Sequence, residues 1–251
     1  SEHMRAEISG MKQAIRNNEI AISLVQTAEG SMNEISSLLV NIRQRAISAA
    51  NVGASDEAMT QANQSEIENA LSSIDRIVSS TQFGQYKLLD GTNARKILED
   101  GSTKEGLRFH VGPDAGHMAA VSIRNMNTSQ LGTLAEGQEP NKSNFMSLAD
   151  IDVSTEQGSQ DALALIDQSI TEVATVRGEL GAFQRNTLES NLTSLQVASE
   201  NMTSAESTLR DTDMAQELAT FTRNQIMSQS ATAQLAQANA LPQNVLRLLN
   251  S

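Results

Sequence analysis

The first 51 residues contain no proline and only two glycines, Gly10 and Gly30, and apolar side chains recur through them at helical intervals. Met4, Ile8, Met11, Ile15, Ile22, Val25, Met32, Ile35, Leu39, Ile42, Ala46 and Ala49 are separated mainly by steps of three, four and seven. That is the spacing of a heptad seam, not the alternation of a strand. One helix over this span is about 75 Å long. It has nothing of its own to bury the seam against, so it needs partner helices. The composition agrees. Hydrophobic residues make up 39% of the chain but aromatics only 2%, with no Trp and one Tyr. Leu, Ile, Val, Met and Ala must therefore fill the core along narrow stripes, without the bulk that aromatics supply.

Asn51–Ser55 interrupts the pattern. Gly53 suits a helix C-terminus, Ser55 an N-cap, and Asp56 and Glu57 a first turn where the helix dipole favours acids. A second helix is expected over Asp56–Gln82, antiparallel to the first, with a seam of Met59, Ala62, Ile67, Ala70, Leu71, Ile74, Ile77 and Val78. From Phe83 onward glycines are frequent. The apolar runs Leu107–Val111 and Ala119–Ile123 flank Gly112-Pro113-Asp114-Ala115-Gly116, which predicts a β-hairpin. The polar stretch 125–158 reads as a surface excursion. A long helix returns from about Ser159, with Leu163, Ile166, Ile170, Val173, Val176, Leu180, Phe183, Leu188, Leu192, Leu195, Ala198, Met202, Ala205 and Leu209 on its seam. Arg210–Asp213 predicts a joint, and a last helix runs from about Met214 to Ala240, ended or kinked by Pro242. The fold class is mainly α: an elongated bundle of long antiparallel helices with a small β-hairpin element. Its segments are 1–83 (N-terminal helices), 84–158 (β element and surface loops), 159–210 (long C-terminal helix) and 211–251 (final helix and tail).

The chemistry is sparse. A net charge of −12 argues against nucleic acid and anionic membranes as partners. No apolar run approaches the roughly 20 residues of a membrane span, and no signal peptide opens the chain. With no cysteine there is no thiolate chemistry, which suits secretion without oxidative folding. His110 and His117 flank the predicted turn, but surface histidines of a hairpin are the simpler reading, and no metal or cofactor is expected. No phosphate-binding glycine motif and no G-x-S-x-G elbow is present. The chain is therefore not expected to be an enzyme. Its seams lie on helices too long for a compact globule, so part of each should meet another chain. The apolar tail Val245-Leu246-Arg247-Leu248-Leu249 points the same way.

Several segments, in order along nearly the whole chain, resemble bacterial flagellin. They are Ile22-Ser23-Leu24-Val25-Gln26-Thr27-Ala28-Glu29-Gly30, Ile74-Asp75-Arg76-Ile77 followed by Thr81-Gln82-Phe83, Phe109-His110-Val111-Gly112, Ala236-Gln237-Ala238-Asn239, and Pro242-Gln243-Asn244-Val245-Leu246 through Leu249. The resemblance implies a secreted, extracellular filament subunit for motility, short in its middle. It also implies paired terminal helices in an inner tube and the long helices in an outer tube. The chain opens with Ser1 in mid-pattern and is read as lacking the family's N-terminal segment. The implied partners are other flagellin subunits, hook-associated and cap proteins, and a flagellar export chaperone. Leu218, Phe221, Ile226, Leu235, Val245, Leu246, Leu248 and Leu249 are the expected assembly or chaperone contacts, and another protein surface should cover them. Arg43, Gln44, Arg45 and Glu66 are the expected receptor or subunit contacts. Toll-like receptor 5 is a further implied partner, weakly bound. Arg45 stands where the resemblance implies a leucine, and an unpaired charge is costly to bury. The alternatives are a flagellin-like hook-associated junction protein, or a helical adaptor or binding module.

Overall fold

The computed structural model describes residues 2–51, 53, 56–97, 102–133 and 141–249, with backbone alone for 97 and 239–249. Four helices dominate: α1 (Glu2–Ala50), α2 (Glu57–Ser80), α3 (Glu156–Phe183) and α4 (Ser190–Leu249). Among the described residues six short strands lie between α2 and α3: β1 (Gln82–Phe83), β2 (Tyr86–Lys87), β3 (Arg95–Ile97), β4 (Thr103–Glu105), β5 (Leu107–His110) and β6 (Met118–Val121). They form three antiparallel pairs, β1–β2, β3–β4 and β5–β6. The chain divides into two compact units, residues 10–196 and residues 1–9 with 197–251.

In the larger unit the core of α1 is a strict heptad. Met11, Ala14, Asn18, Ala21, Val25, Ala28, Met32, Ile35, Leu39, Ile42, Ala46 and Ala49 are all buried, at steps of three and four without a stutter. Ile15 and Ile22, expected on the seam, are only half-buried. Small side chains take the inward positions instead: Asn18 and Val111 hydrogen-bond directly, which brings the loop after β5 close to α1. Helix α2 runs antiparallel to α1: Thr81 Oγ1 donates to Ser31 Oγ at 3.0 Å and Asn63 Nδ2 to Ser48 Oγ at 3.3 Å. Its inward face is Asn63, Ile67, Leu71, Ile74 and Val78, while Met59 and Ala62, assigned to the seam from sequence, are exposed. The N-cap is Asp56, whose carboxylate accepts from the Met59 amide at 2.7 Å. The expected cap, Ser55, lies outside the described residues. Helix α3 starts three residues before the expected Ser159, capped by Thr155. It joins the same core through Ala162, Leu165, Ile166, Val173, Val176 and Leu180.

The hairpin predicted from residues 107–123 is β5–β6, with Leu107 opposite Val121 and His110 opposite Met118. Gly106 enters it at φ 82, and a Cβ there would come within 2.4 Å of the Val121 carbonyl, so only glycine fits.

Two expectations are corrected. The described residues of this stretch, 125–133 and 141–158, are not a surface excursion: Met126, Leu131, Phe145, Leu148, Ile151 and Val153 are buried in the bundle core. Burying irregular backbone requires partners for its polar groups, and side chains of the helices provide them. The Asp75 carboxylate accepts from Thr128 N and Oγ1 at 2.9 and 2.8 Å. Gln64 Oε1 accepts from the Val153 amide at 2.9 Å. Asp161 accepts the Ser143 amide and hydroxyl at 2.8 and 2.6 Å. Burial raises the Asp161 pKa, but the Ser143 and Gln157 hydrogen bonds outweigh it, so the net shift is downward.

The second correction concerns the long C-terminal helix. It has no joint at Arg210–Asp213, since α4 is continuous through those residues and past Pro242 to Leu249. Proline removes one amide donor and crowds the preceding turn, which a helix can absorb without ending. The irregularity falls earlier, in a π-helical turn over Gln184–Glu189 that turns Leu188 fully inward.

Candidate assembly and recognition surfaces

In the smaller unit the described side chains of α4 are exposed from Thr208 to Ala238 without exception. Leu218 is 58% exposed, Phe221 63%, Ile226 58%, Met227 58% and Leu235 65%. Helical geometry spreads these residues around the axis instead of aligning them. Relative to Leu218, Ile226 lies about 80° away and Met227 about 180°. The large apolar side chains are thus spread around the helix among Ser, Thr, Asn and Gln and do not form a single stripe. From Leu218 to Ser251 the only charged residues are Arg223 and Arg247. A shallow apolar recess of about 500 Å³ lies along Leu218, Ala219, Thr222, Arg223, Ile226 and Met227. The side chains of Val245, Leu246, Leu248 and Leu249 lie outside the described residues, although their backbone continues the helix. In the same unit Glu206, 7% exposed, is paired with Arg5 at 3.2 Å. Ala205, expected on this seam, is exposed. The inward positions are Ser199 and Glu206, and polar residues at core positions escape an apolar-periodicity search.

The second expected cluster sits on the larger unit. Arg43 makes a two-pronged contact to Asp167 of α3, Nε donating to Oδ1 at 2.6 Å and Nη2 to Oδ2 at 3.5 Å. The Asp167 hydrogen bond, then its charge, raises the Arg43 pKa. Arg45 Nε pairs with Glu66 Oε2 at 2.5 Å across α1 and α2. Both pairs are about half exposed. Arg45 is therefore not an unpaired charge, and the Glu66 carboxylate already has a partner. Gln44 points to solvent. Asp167 was not anticipated, because a contact 124 residues away in sequence leaves no local signal.

This architecture has long heptad helices, one buried bundle and a helix whose large apolar side chains are exposed. It defines a structural protein that functions by packing against further protein surface. The comparisons supply the particular family. Residues 1–94 match the bacterial flagellin N-terminal helical region and residues 163–249 the bacterial flagellin C-terminal helical region. The flagellin of Bacillus subtilis (strain 168) is 39% identical over 257 residues, spanning 99% of this chain and 84% of that protein. The crystal structure of Bacillus cereus flagellin shares the fold at a TM-score of 0.55 and 21% identity, covering 76% of this chain and 94% of that one. Flagellar hook associated protein-3 from Legionella pneumophila shares it at 0.60 and 12% identity, covering 84% and 99%. The chain belongs to the bacterial flagellin family, whose members are structural and not enzymatic, and it is a subunit of the flagellar filament. The likeness to the hook-associated protein is one of fold alone.

Proposed function

We propose that the chain is exported and polymerises outside the cell, with its 10–196 bundle as a rigid body and α4 from about Thr208 onward as the surface that neighbouring subunits enclose. The observation behind this is the uninterrupted exposure of Thr208–Ala238, including Leu218, Phe221, Ile226 and Leu235. Before assembly the same surface suits an export chaperone, which would keep these side chains from aggregating. Hook-associated and cap proteins at the filament ends would meet it or its complement. Immunogold electron microscopy of flagellated cells tests the role. Antibody to this chain should decorate the filament along its whole length. Label confined to the hook–filament junction would overturn this reading in favour of a junction protein.

Recognition by Toll-like receptor 5 is proposed to be weak because Arg45 and Glu66 satisfy each other. A receptor using Glu66 must first separate that pair and desolvate both charges. Arg45→Leu, which frees Glu66 and restores the leucine the resemblance implies, should raise potency of the monomer in a receptor reporter assay by about tenfold, or about 1.4 kcal/mol. Equal potency of variant and parent would show that the pair masks nothing.

A further inference from the structure

We infer that His110 and Met118 form a binding site for a soft monovalent metal ion, Cu(I) or Ag(I), on the outer face of the β5–β6 hairpin. The two residues stand directly opposite each other in the register of the hairpin. Strand alternation turns Phe109, Ala119 and Val121 toward the core and leaves His110 and Met118 toward solvent. His110 Nδ1 lies 3.1 Å from Met118 Sδ. With the ring proton on Nε2, an imidazole nitrogen and a thioether sulfur present lone pairs to one another.

Metal–imidazole and metal–sulfur bonds of about 2.0 and 2.3 Å let one ion reach two donors separated by up to roughly 4.3 Å. At 3.1 Å the two bonds would meet at about a right angle, and side-chain rotation that opens the pair by about 1.2 Å gives the near-linear arrangement. The backbone beneath is held, because Asn17 Nδ2 donates to the His110 carbonyl at 2.9 Å. The donor set selects the ion. Thioether sulfur favours soft ions, whereas carboxylates and water favour hard ones. No cysteine exists in the chain to compete for such an ion. Among the described residues no group of three or more His, Cys, Asp or Glu is placed to hold a metal, so zinc or a hard divalent ion has no better site. His117 is not a third ligand: it packs over Gly112, with Nδ1 4.0 Å from Asp114.

The test is titration of the full chain with silver nitrate, followed by NMR of ¹³C-labelled methionine methyl groups. Met59, Met146, Met214 and Met227 are also exposed, so they serve as internal controls. The Met118 methyl should shift first and saturate near one equivalent, with affinity about tenfold or more above the controls. Met118→Leu and His110→Phe should each abolish that first step while circular dichroism shows unchanged helix content. Should the Met118 signal move together with those of Met59 and Met146, or should either folded variant keep the first equivalent, the contact is only an N–H···S hydrogen bond and the inference fails.

Discussion

Replacing Leu218 and Phe221 together with aspartate is expected to abolish filament formation while leaving the 10–196 bundle intact. Both side chains are more than half exposed in the single chain. Substituting them therefore removes little intrachain packing, and unfolding of the bundle should change by no more than about 0.5 kcal/mol. In an assembly that encloses α4, the same two positions would be desolvated. Each buried Leu or Phe contributes about 1.5–3 kcal/mol, and an aspartate in its place adds the cost of burying an uncompensated carboxylate. The loss recurs in every subunit, so polymer should be undetectable by electron microscopy or sedimentation at concentrations where the parent assembles. Filaments of normal length from the double variant would show that this helix face stays in solvent.

The second large effect is on stability. Leu39 is fully buried in the α1 heptad between Ile35 and Ile42. Leu39→Ala should cost about 2–5 kcal/mol, which lowers the melting temperature of a chain this size by about 2–4 °C for each kcal/mol. Ile22→Ala is the informative contrast. It lay on the expected seam, but its side chain is only half-buried, so its truncation should cost clearly less than that of Leu39. Thermal unfolding followed by circular dichroism separates the two. Equal losses would mean that the α1 seam has been assigned to the wrong face.

The long helices and the β5–β6 hairpin were legible because heptad spacing and turn chemistry are local signals. The details that failed are those where a non-local contact decides. Ile15 and Ile22 read as core because they are apolar, yet Ala14, Asn18 and Ala21 take the inward positions. Residues 125–158 read as surface because they are polar. Asp75, Gln64 and Asp161 supply the hydrogen bonds that let Met126, Leu148 and Val153 sink inward, and those partners lie on helices 18 to 89 residues away in sequence. That the last helix carries large apolar side chains was legible from its leucines. Its proposed enclosure rests instead on the angular spread of those side chains and on the few charges from Leu218 onward. The salt-bridged state of Arg45 required the α1–α2 register, which no motif encodes.

Asn18 carries a consequence for how the subunit bears load. A bundle of uninterrupted heptads can in principle slide by seven residues and find a near-equivalent apolar fit. Asn18 is the one amide in that row. It is fully buried, and Nδ2 donates to the carbonyls of Ala14 and Val111 at 2.8 and 3.1 Å. Asn191 of α4 reaches the same Val111 carbonyl at 2.5 Å. Any slipped register would strand an amide among methyl groups, at about 1–3 kcal/mol for each unmet group. The pair thus acts as a ratchet tooth: under axial tension or shear the helices are pinned to one alignment, and the bundle should yield by unfolding sooner than by creeping.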